Sequence, residues 1–209
     1  MPGMVDPSTV VIDSMTDSRD GQTYKIVTIG TQTWMAQNLN YETANSYCYR
    51  DTPSNSTKYG RLYTWAAAMD SAGTWSSNGK GCGYGSTCSP TGTVRGVCPT
   101  GWHLPTKAEF ETLFSAVGGQ SIAGKMLKST SGWNSSGNGT DDYSFSALPA
   151  GYRGNNGGYG YEGYYADFWS STEYNSYYAY EMYLYYNYDD AHLNYGYKNY
   201  GFSVRCVKD

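Results

Sequence analysis

VCPTGWHLPTKAEFETLFSAVGG, residues 97–119, is the stretch whose reading decides the fold. Thr106 is a good N-cap and Glu109 follows three residues later, which makes a capping box. Leu104 and Phe110 could form the hydrophobic staple around it. Phe110, Leu113, Phe114 and Val117 recur at helical spacing and face a core. Gly118-Gly119 ends the helix, and Ile122–Leu127 adds one more turn. Upstream, Tyr24–Ile29 alternates like a strand, turns at Gly30 and pairs with Thr33–Leu39 as a hairpin. Residues 1–19 are polar and expected to be a frayed terminus or linker, and residues 40–60 an irregular stretch. Leu62–Met69 reads as a short helix with an apolar face, and the Gly-, Ser- and Cys-rich residues 71–98 as a long pinned loop. Downstream, beyond a polar loop at 129–141, strand signals take over at Phe145–Leu148, Phe168–Ser171, Ala179–Tyr186 and Phe202–Val207. Few helices followed by many strands predict one α+β domain over residues 20–209.

Sixteen of the 24 tyrosines lie between Tyr152 and Tyr200. A buried phenol must find a hydrogen-bond partner, so a core holding that many would be hard to satisfy. The residues between them are mostly Asn, Gly, Asp and Ser. Tyr, Ser, Gly and Asn together are the chemistry of antibody binding loops, rigid amphipathic area beside adaptable polar groups. Within Ala179–Tyr186, Tyr180, Met182 and Leu184 point one way and Tyr183 and Tyr185 the other, which puts the second set on the outer face. In the last strand Phe202, Val204 and Cys206 should face in, and Ser203 and Arg205 out.

The charged fraction is only 15% and the net charge −4, which gives no reason to expect a nucleic acid partner. No apolar run of about 18 residues occurs, so no membrane span is expected. Met1-Pro-Gly-Met4 reads as a trimmed mature end without a signal peptide. Low charge with high Tyr, Asn, Ser and Gly suits a secreted or cell-surface protein.

Five cysteines leave one over. Cys82 and Cys88 could form a short local bridge, and Cys98 and Cys206 could close a long loop, leaving Cys48 free. No Cys-x-x-Cys pair occurs, and His103 and His192 are the only histidines, so a zinc site is not expected. His103 reads as a structural hydrogen-bonding group at the helix entry. No Gly-x-Ser-x-Gly occurs, and Cys48 has no obvious base, so no enzyme activity is expected. Asn138, Asp141 and Asp142, or Asp189-Asp190, could offer oxygen to calcium, but a polar turn is the plainer reading, so no metal and no cofactor are expected.

DGQTYKIVTIGTQTWMAQNLNY (20–41), YGRLYTWAAAM (59–69), VCPTGWHLPT (97–106), DDYSFSALPAGYR (141–153), FWSSTE (168–173) and GFSVRCVKD (201–209) closely resemble the Fibrobacter succinogenes major paralogous domain family. The resemblance covers nearly the whole chain from Asp20. It implies a bacterial protein with a C-type lectin-like fold, two helices and a twisted antiparallel sheet. Formylglycine-generating enzymes and the variable proteins of diversity-generating retroelements share that fold. It also implies pairing of Cys98 with Cys206. The second cysteine that relatives carry after the one matching Cys48 is replaced near that place by Ser56. The sugar-binding motifs Glu-Pro-Asn, Gln-Pro-Asp and Trp-Asn-Asp of calcium-dependent lectins are absent.

Relatives tend to have Asn at many positions where this chain has Tyr. An Asn codon becomes Tyr, Asp, His or Ser by one adenine change, so residues 152–200 resemble an adenine-mutagenised variable region. The expected ligand-binding residues are Tyr152, Tyr159, Tyr161, Tyr164, Tyr165, Tyr174, Tyr177, Tyr178, Tyr183, Tyr185, Tyr186, Tyr188, Asp189, Asp190, His192, Tyr195 and Tyr197. Glu162, Glu173 and Glu181 could add hydrogen bonds to a sugar. The expected partner is an extracellular protein or polysaccharide bound by a monomer, with Cys48 able to cross-link chains. A carbohydrate-binding accessory module and a self-associating surface component are the alternatives.

Overall fold

The computed structural model describes residues 3–209. Its strands in the first half are β1 (Val11–Thr16), β2 (Thr23–Ile29), β3 (Gln32–Met35), β4 (Ser46–Tyr47), β5 (Leu62–Tyr63) and β6 (Trp102–His103). The helices are α1 (Pro53–Tyr59), α2 (Trp65–Asp70), α3 (Lys107–Ala116) and α4 (Gln120–Leu127). The second half supplies β7 (Tyr152–Arg153), β8 (Tyr159–Gly160), β9 (Tyr165–Glu173), β10 (Tyr178–Tyr185), β11 (Ala191–Tyr197) and β12 (Val207–Lys208). A five-stranded sheet runs β1-β2-β3-β12-β6, a three-stranded sheet β11-β10-β9, and two short pairs join β4 to β5 and β7 to β8. The architecture is mixed, mostly sheet with few helices.

Helix α3 follows its sequence cues. The Thr106 hydroxyl accepts from the Glu109 amide and the Glu109 carboxylate accepts from the Thr106 amide. Gly118 and Gly119, both left-handed, end it, and α4 starts directly afterwards as a separate helix. The turn inside the second helix reading is set by Thr64, whose hydroxyl caps α2, so Leu62-Tyr63 are strand rather than helix. Helix α1 carries PSNSTKY, with no apolar periodicity to announce it; Pro53 starts it and Tyr59 anchors it. These elements raise the expected two helices to four.

The N-terminus is a correction. Residues expected to fray form β1, paired with β2 from Val11↔Thr28 to Thr16↔Thr23. The hairpin is locked at its turn, where the buried Asp17 carboxylate accepts two-pronged hydrogen bonds from Arg19. Strand β1 itself stays largely exposed, so no hydrophobic alternation marks it. Residues 1–2 of that expectation lie outside the described residues.

Phe145–Leu148 forms no strand, only a bridge from Ala147 to Lys128. Asp141 bends the chain there by accepting from the Ser146 amide and hydroxyl. The Phe202–Val207 segment is strand only at its end. Its Phe202 carbonyl accepts from Tyr63, Ser203 from Trp169, Val204 from Leu39 and Cys206 from Met35. It therefore threads between elements and is wet on neither side. Ser203 and Arg205, expected to face out, are fully buried.

Two cores result. One gathers Tyr63, Trp65, Trp169, Phe202 and the Cys98–Cys206 bridge. The other gathers Trp34, Phe110, Leu113, Phe145, Phe168, Met182 and Leu184 under α3 and α4. The β11-β10-β9 sheet divides them, giving Trp169 and Ala179 to the first and Phe168, Met182 and Leu184 to the second. The Cys82–Cys88 bridge is also formed and Cys48 is free. His103 ties α3 to the C-terminus: its Nε2 lies 2.7 Å from Glu109 and its Nδ1 2.7 Å from Asp209. Burial opposes its protonation, but these two carboxylates outweigh burial and raise its pKa.

Candidate recognition surface

Both faces of the β11-β10-β9 sheet run past the cores that cover them. Tyrosines fill the overhang at both ends. In register, Tyr178 stands opposite Tyr197 and Tyr180 opposite Tyr195, on the face shared with Met182 and Leu184. Tyr174 joins them from the turn, its ring parallel to that of Tyr195 at 4.3 Å. Tyr178 packs on Tyr197 at 4.5 Å. At the other end and on the other face, Tyr183 stacks on His192 at 4.6 Å and Tyr185 packs at a tilt against Tyr165 at 4.4 Å. Tyr197 contacts Tyr200 at 5.5 Å, and Tyr200 stacks on Tyr152 at 5.7 Å. Tyr152 meets Tyr161 at 5.1 Å and, edge-on, Tyr165 at 6.4 Å. Aromatic contacts thus run unbroken from one end of the sheet to the other. Centroid spacings of this kind are favourable beyond the area they bury.

The predicted residues separate into three kinds. Tyr161, Tyr164, Tyr174, Tyr177, Tyr188 and Tyr195 are exposed. Tyr152, Tyr165, Tyr178, Tyr183, Tyr185, Tyr186, Tyr197 and His192 are half-buried, with Tyr152 and Tyr186 packed against the two cores. Tyr159 stands apart, donating to Asp51 at 2.6 Å and packing on Tyr49. Tyr183 and Tyr185 are therefore not the open outer face expected of them. Tyr180, assigned to the fold, is also half-buried, with the Lys107 ammonium 5.2 Å from its ring. Single Ser substitutions at Tyr177, Tyr188 or Tyr195 should change stability by no more than about 0.5–1 kcal/mol in urea denaturation, whereas Tyr183→Ser should cost about 1–2 kcal/mol.

The turn between β10 and β11 is held through its backbone. The buried Lys128 ammonium donates to the carbonyls of Tyr185, Tyr186 and Tyr188 at 3.2, 3.1 and 2.9 Å. Gly124 packs against the Asp190 carbonyl, where a Cβ would collide, and the Lys125 amide donates to the Asp189 carbonyl. The Asp190 carboxylate lies 3.1 Å from His192. Asp189 and Asp190 thus contribute their backbone to the turn. Asp141 is engaged by Ser146, and Asn138 accepts from the Trp133 amide.

The three glutamates offered to a sugar are otherwise occupied. Glu162 accepts from Tyr59 at 2.9 Å, and Glu173 is paired with the fully buried Lys198 at 2.9 Å. Glu181 lies beneath the aromatic layer on the face shared with Asp167, which stands opposite Tyr183. Asp167 and Glu181 are 4% and 6% exposed, and no cation among the described residues offsets the burial of either. Burial pushes Asp167 up to about 7 and Glu181 well above the carboxylate range, Glu181 also feeling the charge of Asp167. The folded pair holds a proton at pH values where the unfolded chain holds none. Its stabilisation is complete below about pH 4 and is lost as pH rises through about 7. Melting temperature should therefore fall more steeply from pH 5 to 8 in the native protein than in Asp167→Asn; equal slopes would refute the raised pKa of Asp167.

Sequence reasoning missed Tyr84. It is 48% exposed on the loop closed by Cys82 and Cys88, and its ring meets Tyr177 at 5.0 Å and Tyr197 at 6.2 Å. Its neighbours in sequence gave no sign that it joins Tyr177 and Tyr197, far along the chain. Lys128 and Lys198 were missed because a lysine is read as solvated unless its partners are known.

Residues 27–208 match the family model described as the Fibrobacter succinogenes major domain. No curated protein and no solved structure matches the chain.

Proposed function

The chain belongs to the Fibrobacter succinogenes major domain family, and on the aromatic surface just described we propose that it is an extracellular recognition domain that binds a protein partner. The continuous band of tyrosines on the β11-β10-β9 sheet carries this reading. Six of the predicted tyrosines expose large apolar area with a polar tip, the combination enriched at protein interfaces. Neighbouring rings restrain one another, so little side-chain entropy remains to be lost on binding. Several ring faces are covered by other rings, as in Tyr174 on Tyr195 and Tyr183 on His192. Edges and hydroxyls are what remain outward, which suits protein contacts better than the open ring face a pyranose needs. Two disulfides are compatible with an oxidising compartment. No helix among the described residues is long and apolar enough to cross a membrane.

The scaffold is of the C-type lectin type in this reading, with the last segment bridged to Cys98, upstream of β6 and α3. The tyrosine slots are the changeable part. Phe168, Trp169, Ser170, Ser171, Met182 and Leu184 are buried framework, while the tyrosines around them reach solvent. This division supports adenine-directed diversification of the slots, which a template repeat and a reverse transcriptase at the genomic locus would accompany; a locus with neither would refute it. The binding role is tested by screening the protein and its Tyr174→Ser/Tyr195→Ser variant on arrays of extracellular proteins and of glycans. Protein hits lost by the variant support the proposal. Glycan hits alone, lost by the variant, would replace it with a carbohydrate-binding module.

A further inference from the structure

We infer that the recognition surface continues beyond the tyrosine-rich segment onto the loop closed by Cys82–Cys88, with Tyr84 as a contact residue and the bridge and its anchors as positioning groups. The inference rests on the binding reading above. Tyr84 is the loop's one large side chain; Gly83, Gly85, Ser86 and Thr87 surround it. Cys82 is buried in the first core, so the loop's base is fixed while its tip stands clear.

The tip is fastened to the sheet by groups that are not tyrosine side chains. The Gly85 amide donates to the Ser176 carbonyl at 2.9 Å. The Lys198 ammonium donates to the Ser86 carbonyl at 2.7 Å and to Glu173 at 2.9 Å. The same carboxylate accepts from the Cys88 amide at 3.0 Å and the Ser89 amide at 3.2 Å. Four anchors on so short a loop set its position tightly. What they hold in place is a half-exposed phenol, its ring tilted against those of Tyr177 and Tyr197 and contributing little to the core.

The chemistry of the extended patch narrows its partner. Lys198 and Glu173 neutralise each other beneath the loop. The exposed groups are the phenols of Tyr84 and Tyr177 with the small polar side chains of Ser86, Thr87 and Asn175, and Ser176 is half-buried beside them. A surface without charge discriminates against a charged partner patch, because burying an unpaired charge is costly. The partner patch is therefore neutral, apolar at its centre and able to hydrogen bond to phenols.

Peptides selected from a random library on the disulfide-bonded protein serve as the probe. They are measured against the native chain, Tyr84→Ser, Cys82→Ser/Cys88→Ser and Tyr174→Ser/Tyr195→Ser, alongside melting temperature and hydrogen exchange at the Gly85 amide. Peptides that depend on Tyr174 and Tyr195 are expected to weaken about tenfold or more on Tyr84→Ser, the scale of one aromatic interface contact. The melting temperature of Tyr84→Ser should stay unchanged, and the cysteine variant should weaken the same peptides while Gly85 exchange quickens. Peptides that need Tyr174 and Tyr195 but bind Tyr84→Ser undiminished would overturn the inference and spare the binding reading. Peptides indifferent to Tyr84, Tyr174 and Tyr195 would overturn both.

Discussion

Arg205→Met is expected to cost about 3–5 kcal/mol of stability, a loss on the scale of breaking a buried charged network. Arg205 is 0% exposed and threads between the rings of Phe145 and Phe168. Its Nε donates to Asn38 Oδ1 at 2.8 Å, one terminal nitrogen to the Phe145 carbonyl, and the other to the Ser146 carbonyl at 2.9 Å. Asn38 in turn donates to the Tyr59 carbonyl at 2.7 Å. One guanidinium thus joins the C-terminal segment, the end of α1 and the turn before β7. Methionine keeps much of the stem's packing but leaves two buried acceptors and one partly buried acceptor without a donor, at about 1–3 kcal/mol for each buried one. Part of that loss is offset because burial disfavours the charge, pushing Arg205 down to about 9, with the Asp141 carboxylate acting against burial. Urea denaturation of the variant tests this, and a loss below about 1 kcal/mol would show that the network is not needed.

Removing the Cys98–Cys206 bridge as Cys98→Ala/Cys206→Ala is expected to cost about 4–5 kcal/mol. The bridge spans 108 residues and closes nearly the whole second half of the chain. The Cys82–Cys88 bridge spans 6 residues, so its loss should cost only about 2 kcal/mol by the same loop-entropy argument. The two therefore divide the labour, one holding the fold and the other a local loop. Equilibrium unfolding of both double variants under identical conditions measures the ranking. Equal costs, or a larger cost for the shorter bridge, would contradict it.

Helix α3 was readable because its signals are local: the cap, the third-residue glutamate and the apolar spacing all lie within a dozen residues. The β2–β3 hairpin and the strand content of 165–185 were readable for the same reason. Ser203 and Arg205 were misread because alternation assumes one wet face, and this segment has none. Strand β1 was missed because it buries little and is held by ladder bonds that composition does not record. The tyrosine surface was visible as chemistry, yet its limits were not. Tyr183 and Tyr185 sink into it because neighbouring rings cover them, and Tyr84 joins it through a fold that brings distant residues together.

The Lys128 clamp on the turn between β10 and β11 has a bearing on evolvability. It grips three carbonyl oxygens, and every amino acid carries one. Substitution at Tyr185, Tyr186 or Tyr188 therefore changes what the turn displays without removing what the lysine holds. Robustness at the level of the backbone leaves the side chains there free to be sampled by mutation. The same clamp places the constraint elsewhere: Lys128 itself is the position that a lineage exploring new surfaces could least readily replace.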